Sequence, residues 1–380
     1  MPNQPENNSL RPLTSFRFIA ALFVFGAHLY YLKGFPEYKA VYERFLSQGD
    51  IGVTFFFILS GFILTYNYLY KFDTLNKRRL KSFYISRIAR IYPLHFLTFF
   101  LAIPIVYKYM LADPGSIIGK ATTNLLLIQS FVPIEEIFFS MNGPSWSISD
   151  EMFFYTLFPF VIWIVRKAGI HTKGSLLSII LIWVCLLCLV FYYRDIAWSH
   201  WLFYVFPVTR FIDFVIGVLL GIFFINIKDW INHRLTSKVY YSFIELFSVL
   251  LAAIFLYFHK SMHPSLTYSV YYIPSMCLII FIFAFQQGLL SQLLSHKMLV
   301  FLGEASFAFY MTHDLIIKYT YRMPFIKTHP IAIAITAFLV SIVACTLIHL
   351  FYEMPLRNRI RNILSYPRGV RGFNVEARNL

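Results

Sequence analysis

Ten apolar stretches recur along this chain, at about 13–33, 51–70, 88–110, 147–165, 175–193, 203–226, 239–258, 268–287, 298–318 and 330–352. Roughly 20 apolar residues in a helix match the hydrocarbon thickness of a bilayer, so each stretch reads as a membrane-crossing helix. The predicted fold class is all-α: a polytopic membrane protein with about ten transmembrane helices in a single bundle. With 58% hydrophobic, 20% aromatic and 13% charged residues, too little polar sequence remains to build a water-soluble domain. A shorter apolar run, NLLLIQSFVP at 124–133, falls below spanning length and reads as an interfacial or re-entrant segment.

The formal charge of +15 invites a nucleic-acid partner, but in a polytopic protein basic residues collect in cytoplasmic loops and set orientation. Alternating loops divide clearly. The N-terminus, 71–90, 166–173, 227–238, 288–297 and the C-terminal tail hold 21 Lys and Arg, while 33–50, 108–145, 194–202, 259–267 and 318–329 hold 10. Both termini are therefore expected in the cytoplasm, with no nucleic-acid partner. The organisation reads as a cytoplasmic segment 1–12, one membrane domain 13–352 and a basic cytoplasmic tail 353–380. The polar start, followed by a helix carrying charged residues, does not fit a removed signal peptide. Cys185, Cys188, Cys277 and Cys345 all stand in apolar runs, so lipid-facing or packing roles are expected rather than disulfides or a metal site.

Against this background the ionisable residues inside the apolar stretches stand out, because such groups are expensive in a bilayer and usually functional. Arg17 and His28 share the first stretch. Their eleven-residue spacing is three helical turns plus about 20°, which places them on one face about 16 Å apart in depth. Arg87 and Arg90 in SRIARIYP share a face at the cytoplasmic entrance of the third stretch. With Arg17 they form a trio suited to bidentate phosphate binding, or equally to anchoring helices on anionic headgroups.

On the outer side, NGPSWSISDEMFFYTLFPF leads into the fourth stretch with Asp150 and Glu151, and with Tyr155 one turn below Glu151. Helix capping would explain Asp150 but not Glu151, which is followed directly by an apolar run. Arg210 and Asp213, at i,i+3 in the sixth stretch, are most simply a structural ion pair. Ser306, Tyr310 and His313 align on the ninth stretch, with His313 either functional or a packing residue.

Six segments in order carry a family resemblance: Arg17-to-His28, GVTFFFILSGFIL, SRIARIYP, PSWSISDEMFFYTLFP, GEASFAFYMTH and FYEMPLRNRI. Together, over about 11–361, they resemble the acyltransferase family 3 integral membrane proteins. The resemblance implies an O-acyltransferase that moves an acyl group, usually acetyl, from cytoplasmic acyl-CoA to hydroxyls of surface glycans or, less often, of small molecules. It makes His28 the leading catalytic residue with Arg17 its motif partner. It assigns Arg87 and Arg90 to acyl-CoA binding and matches Trp146, Ser147 and Glu151 to the segment opening the fourth helix. Tyr155, Arg210, Asp213, Tyr310 and His313 join Trp146 and Ser147 as substrate-facing or supporting residues. Unlike some members, the chain stops soon after the tenth helix, without a fused esterase-like domain, so it is expected to act alone or to hand its product on. Family habit implies a bacterial inner membrane.

The chemistry fits these placements. Forming an ester from an alcohol requires removal of the hydroxyl proton, and imidazole, with an ordinary pKa of about 6.5, is the side chain best matched to that task near neutrality. A base of this kind is usually oriented by a carboxylate, for which Glu151 is the expected partner. There is no Gly-x-Ser-x-Gly elbow and no HExxH motif; Ser60 and Ser147 are the serines considered as covalent carriers, and direct transfer is preferred. The expected partners are acetyl-CoA, a glycan or lipid-linked sugar acceptor and membrane lipids, with no metal. The rival class is a glycan or lipid transporter or flippase, which paired broken helices and inverted repeats would favour.

Overall fold

The computed structural model describes residues 10–72, 74–112, 114–322 and 329–365. Residues 1–9 of the expected N-terminal segment, 366–380 of the expected tail and Lys327 in the 318–329 loop lie outside them. The first half of the chain forms α1 (Arg11–His28), α2 (Pro36–Val41), α3 (Asp50–Tyr68), α4 (Lys77–Ala112), α5 (Pro114–Leu125), α6 (Glu135–Phe138), α7 (Ser145–Lys167) and α8 (Thr172–Tyr193). The second half forms α9 (Pro207–Arg234), α10 (Lys238–Phe258), α11 (Pro264–Thr267), α12 (Ile273–Phe283) and α13 (Leu289–Leu294). It closes with α14 (Lys297–Glu304), α15 (Ser306–Tyr321), α16 (Pro330–Ile348) and α17 (Met354–Ser365). Proline stands in the first turn of α1, α9, α12 and α16, where its missing N–H has no helical partner to lose.

Among the described residues, eight helical stretches are long and apolar enough to cross a membrane. The chain is an integral membrane protein with an all-α architecture. Two of the ten expected spans take a different form. The stretch 268–287 contains only the eleven-residue α12, because Ser269–Tyr272 turn before it and Gln286, at φ 59°, ends the run behind it. The stretch 298–318 is interrupted at Ala305 between α14 and α15. There Gly303 lies so close to α1 that a Cβ would overlap the Thr14 carbonyl oxygen, and the Ser306 hydroxyl donates to the Gly303 carbonyl at 2.7 Å.

The centre of the bundle is the crossing of α3 with α9. Cβ atoms placed on Gly61 and Gly217 would overlap the carbonyl oxygens of Phe214 and Ile58, so the two backbones are in contact through their glycines. Close approach of this kind is how helices associate in lipid, where apolar burial offers no advantage over the lipid tails themselves. Leucine, isoleucine and phenylalanine side chains of α8, α10 and α16 are exposed, the surface a lipid-facing helix needs. Cys185 and Cys188 lie on that exposed surface of α8.

The segment 124–133 forms a compact turn after α5. Leu127 adopts φ 56°, and Asn124, Gln129 and Ser130 are buried against the start of α7. The amides of Asn124 and Gln129 bond Ser145, and the Ser130 and Ser149 hydroxyls are 2.7 Å apart. This polar pinning fixes the first turn of α7, the helix that carries four of the expected site residues.

Candidate active site

Between α1, α3, α4 and α7 lies a cavity of about 570 Å³, measured out to its open mouth. Its polar lining is Arg17, Arg87, Arg90, Glu151, Tyr155 and Ser60. Tyr155 donates to Glu151 at 3.1 Å, and the Ser60 hydroxyl lies 3.3 Å from the Tyr155 hydroxyl. The Arg87 guanidinium rests 5.6 Å from the ring centres of both Phe83 and Tyr155, a cation–π arrangement that holds it at the cavity wall. Arg17 and Arg90 lie within electrostatic reach of Glu151, but among the described residues neither has an acceptor at hydrogen-bonding distance. The cavity therefore presents guanidinium donors that remain free for a ligand.

A second cavity of about 400 Å³ shares Arg17, Phe56, Arg90 and Glu151 with the first and extends to Ser147, Ser306, Phe307 and Tyr310. Its far wall is hydrogen-bonded: the Ser147 and Tyr310 hydroxyls are 2.7 Å apart, and Ser147 also donates to the Pro144 carbonyl. One turn further along α15, His313 Nδ1 lies 2.7 Å from the Tyr310 carbonyl oxygen, and His313 Nε2 is 3.3 Å from His28 Nδ1. The second cavity ends at Tyr310, and beyond it hydrogen bonds carry on to His313 and His28.

His28 is the last residue of α1 rather than a mid-helix residue. After it the chain breaks at Leu29 and continues as a 3₁₀ turn, Tyr30–Gly34, while the Tyr42 hydroxyl bonds the Ala27 carbonyl at 2.6 Å. The surrounding network assigns the imidazole protons. His313 Nδ1 can only donate to the Tyr310 carbonyl, so its Nε2 is the acceptor; the single Nδ1 N–H of His28 is then shared between Val24 O at 2.8 Å and His313 Nε2 at 3.3 Å. His28 Nε2 keeps its lone pair, with no hydrogen-bond partner among the described residues. This is the nitrogen available to take a proton.

Two expectations change. Glu151, expected to orient His28, lies instead with the arginines and Tyr155. The carboxylate beside the histidine pair is Asp314, which is 2% exposed, bonds Lys318 Nζ at 2.7 Å and lies within electrostatic reach of both His28 and His313. Sequence reasoning passed over it as one more residue after GEASFAFYMTH; its position directly after His313 was the available signal. Asp150 is not a helix cap either, since α7 begins at Ser145 and puts Asp150 and Glu151 in the second turn. Asp150 is wholly buried near Ser130, Arg210 and Asp213.

The remaining expected residues lie around the Arg210–Asp213 pair. Arg210 and Asp213 are an ion pair of 3.1 Å at essentially zero exposure, and Arg210 also donates to the Tyr268 carbonyl and the Thr54 hydroxyl. The Tyr268 carbonyl is free because the chain is unwound there, a backbone form tolerated at membrane depth only when buried in protein. Trp146 packs edge-on to Phe57 and against Tyr204, between this ion pair and the second cavity.

A polytopic helical bundle with arginine-lined polar cavities and a buried histidine pair beyond their far wall has the make-up of a membrane-embedded enzyme. The chain belongs to the acyltransferase domain family, which it matches over residues 13–350. It is 29% identical to the acyltransferase MdmB of Streptomyces mycarofaciens, over 96% of each chain. It is 22% identical to a provisionally named O-acetyltransferase of Staphylococcus aureus strain COL, over 89% of this chain and 56% of that protein. A provisionally named peptidoglycan O-acetyltransferase of Bacillus subtilis strain 168 is also 22% identical, over 82% of this chain and 51% of its own length. The chain thus spans nearly all of the first relative and about half of the other two. No solved structure matches. The chain is a membrane-embedded O-acyltransferase.

Proposed function

We propose that the enzyme transfers an acetyl group from cytoplasmic acetyl-CoA to a hydroxyl of a surface glycan or lipid-linked sugar, from a bacterial plasma membrane with both chain termini in the cytoplasm. The observation that carries this reading is the pair of joined cavities that leads from the arginine donors to Tyr310, whose carbonyl is bonded by His313, the neighbour of His28. Arg17, Arg87 and Arg90 bind the donor phosphates, and the pantetheine arm extends through the two joined cavities toward Tyr310. The acceptor hydroxyl meets the thioester near His28. His28 Nε2 removes the hydroxyl proton as oxygen attacks the thioester carbonyl; the C–S bond breaks and the leaving thiolate takes a proton to become the CoA thiol. Asp314 and His313 favour the imidazolium that forms in between. No acyl-enzyme is needed, because Ser147 is engaged by Tyr310 and the Pro144 carbonyl, and Ser60 faces Tyr155 near the donor entrance. The Bacillus relative's name supports a glycan acceptor.

The test is mass spectrometry of surface glycans from cells expressing wild type or His28→Ala at matched protein levels. An added acetyl mass increment in wild type alone supports the reading; equal acylation by the variant removes His28 as the base. If neither modifies a glycan, the acceptor class is wrong.

A further inference from the structure

The closing motif FYEMPLRNRI is not used by the mechanism above, yet the fold returns it to the arginine cluster. The chain leaves α16 through a π-helical turn, His349–Glu353, and α17 then lies along α4, where the Tyr352 hydroxyl bonds the Pro93 carbonyl at 3.1 Å. His349 Nδ1 lies 2.9 Å from Glu353 Oε2, both residues buried. Glu353 is within electrostatic reach of Arg17 and Arg90, and Arg357 of Arg87, Arg90, Glu353 and Arg361. The Arg357 Nε is buried without a hydrogen-bond partner.

Charge balance decides what this cluster is for. Among the described residues, Arg17, Arg87, Arg90 and Arg357 have two carboxylates within electrostatic reach of the group, Glu151 and Glu353, and Arg361 adds a further positive charge one turn along α17 from Arg357. Partly buried guanidinium groups in that excess repel one another and become favourable only when a polyanion joins them. We propose that Arg357, supported by Arg361 and positioned through the His349–Glu353 pair, is a further phosphate-binding residue, so that α17 and α4 hold the nucleotide phosphates of the acyl donor between them. This rests on the donor reading above. The same donors would suit an anionic lipid headgroup, so the test must separate the two.

The experiment measures CoA binding by calorimetry to purified protein in nanodiscs of zwitterionic lipid, for wild type, Arg357→Gln, Arg357→Lys and the exposed Arg361→Gln, each checked for a monodisperse elution profile. Arg357→Gln is expected to weaken CoA about tenfold, Arg357→Lys less, and Arg361→Gln about two- to threefold. Should Arg357→Gln misfold, the loss for Arg361→Gln carries the test, and unchanged affinity there overturns the proposal. Wild-type affinity in Arg357→Gln likewise overturns it, and if that variant instead loses only the stabilisation given by phosphatidylglycerol nanodiscs, the site belongs to lipid. If wild type binds CoA and the variants do too, the donor reading survives alone; if wild type fails to bind CoA, both fall.

Discussion

At the scale of single residues the proposed chemistry rests on two histidines and one carboxylate. With Nδ1 of each imidazole committed to a backbone carbonyl, His28 has only Nε2 to offer as a base. His28→Ala is expected to lower acyl transfer by about 10²–10⁴-fold without loss of folded protein, read by product formation alongside elution from a sizing column. Asp314 acts on the imidazolium from beside it, away from the arginine-lined cavity. Asp314→Asn is therefore expected to lower kcat on the order of tenfold with KM for the donor little changed; a KM increase without a kcat loss would move Asp314 out of the base's surroundings. On the proposed function the roles separate: Arg17, Arg87 and Arg90 bind the donor, while His28 removes the proton. Arg17 and His28 could be paired from their spacing alone. Asp314 could not be chosen over Glu151 that way, because which carboxylate faces His28 depends on how α15 and α7 pack around α1.

Individual elements owe their stability to backbone contacts as much as to apolar packing. Glu245, wholly buried on α10, accepts hydrogen bonds from the Gly288, Leu290 and Ser291 backbone N–H groups, and so satisfies the first turn of α13 from outside that helix. Glu245→Ala would leave these donors buried and unpaired, at about 1–3 kcal/mol for each group that water cannot reach. A clear fall in the thermal unfolding temperature in detergent is expected; an unchanged midpoint would show that α13 is held by other contacts. At the α3–α9 crossing, Gly217→Val places side-chain atoms where the Ile58 carbonyl lies. That variant is expected to yield little folded protein, whereas Gly119→Val, on α5 with open space around its Cβ position, should express like wild type. Comparative yields by in-gel fluorescence of fused protein would check the pair. The interruption at Ala305 and the shortness of α12 have the same origin: hydropathy reports length in the membrane, not where a neighbouring backbone forces a helix to stop.

At the scale of the whole molecule, an arginine-lined end leads through two cavities to Tyr310, and the histidine pair lies beyond it. The imbalance of basic loops, 21 against 10, is the ground for proposing that the arginine end faces the cytoplasm, where an acyl-CoA would be met. A reporter active only outside the cytoplasm, fused after Ser365, is expected to be silent, and one inserted in the 194–200 loop to be active; the reverse pattern would put the arginine cluster on the wrong side for such a donor. Apolar length is a local property of a chain, so the sequence by itself determined the membrane character, eight of the ten expected spans and the family. It also paired Arg87 with Arg90 and Glu151 with Tyr155, since one helical turn separates the members of each pair. Only the tertiary structure decided what lies across a helix interface: that Glu151 joins the arginines, that His313 and Asp314 flank His28, and that α17 brings Arg357 back to the cluster. Those contacts join residues hundreds of positions apart, and no periodicity along the chain encodes them, because they arise from which helix faces the packing of the bundle turns toward one another.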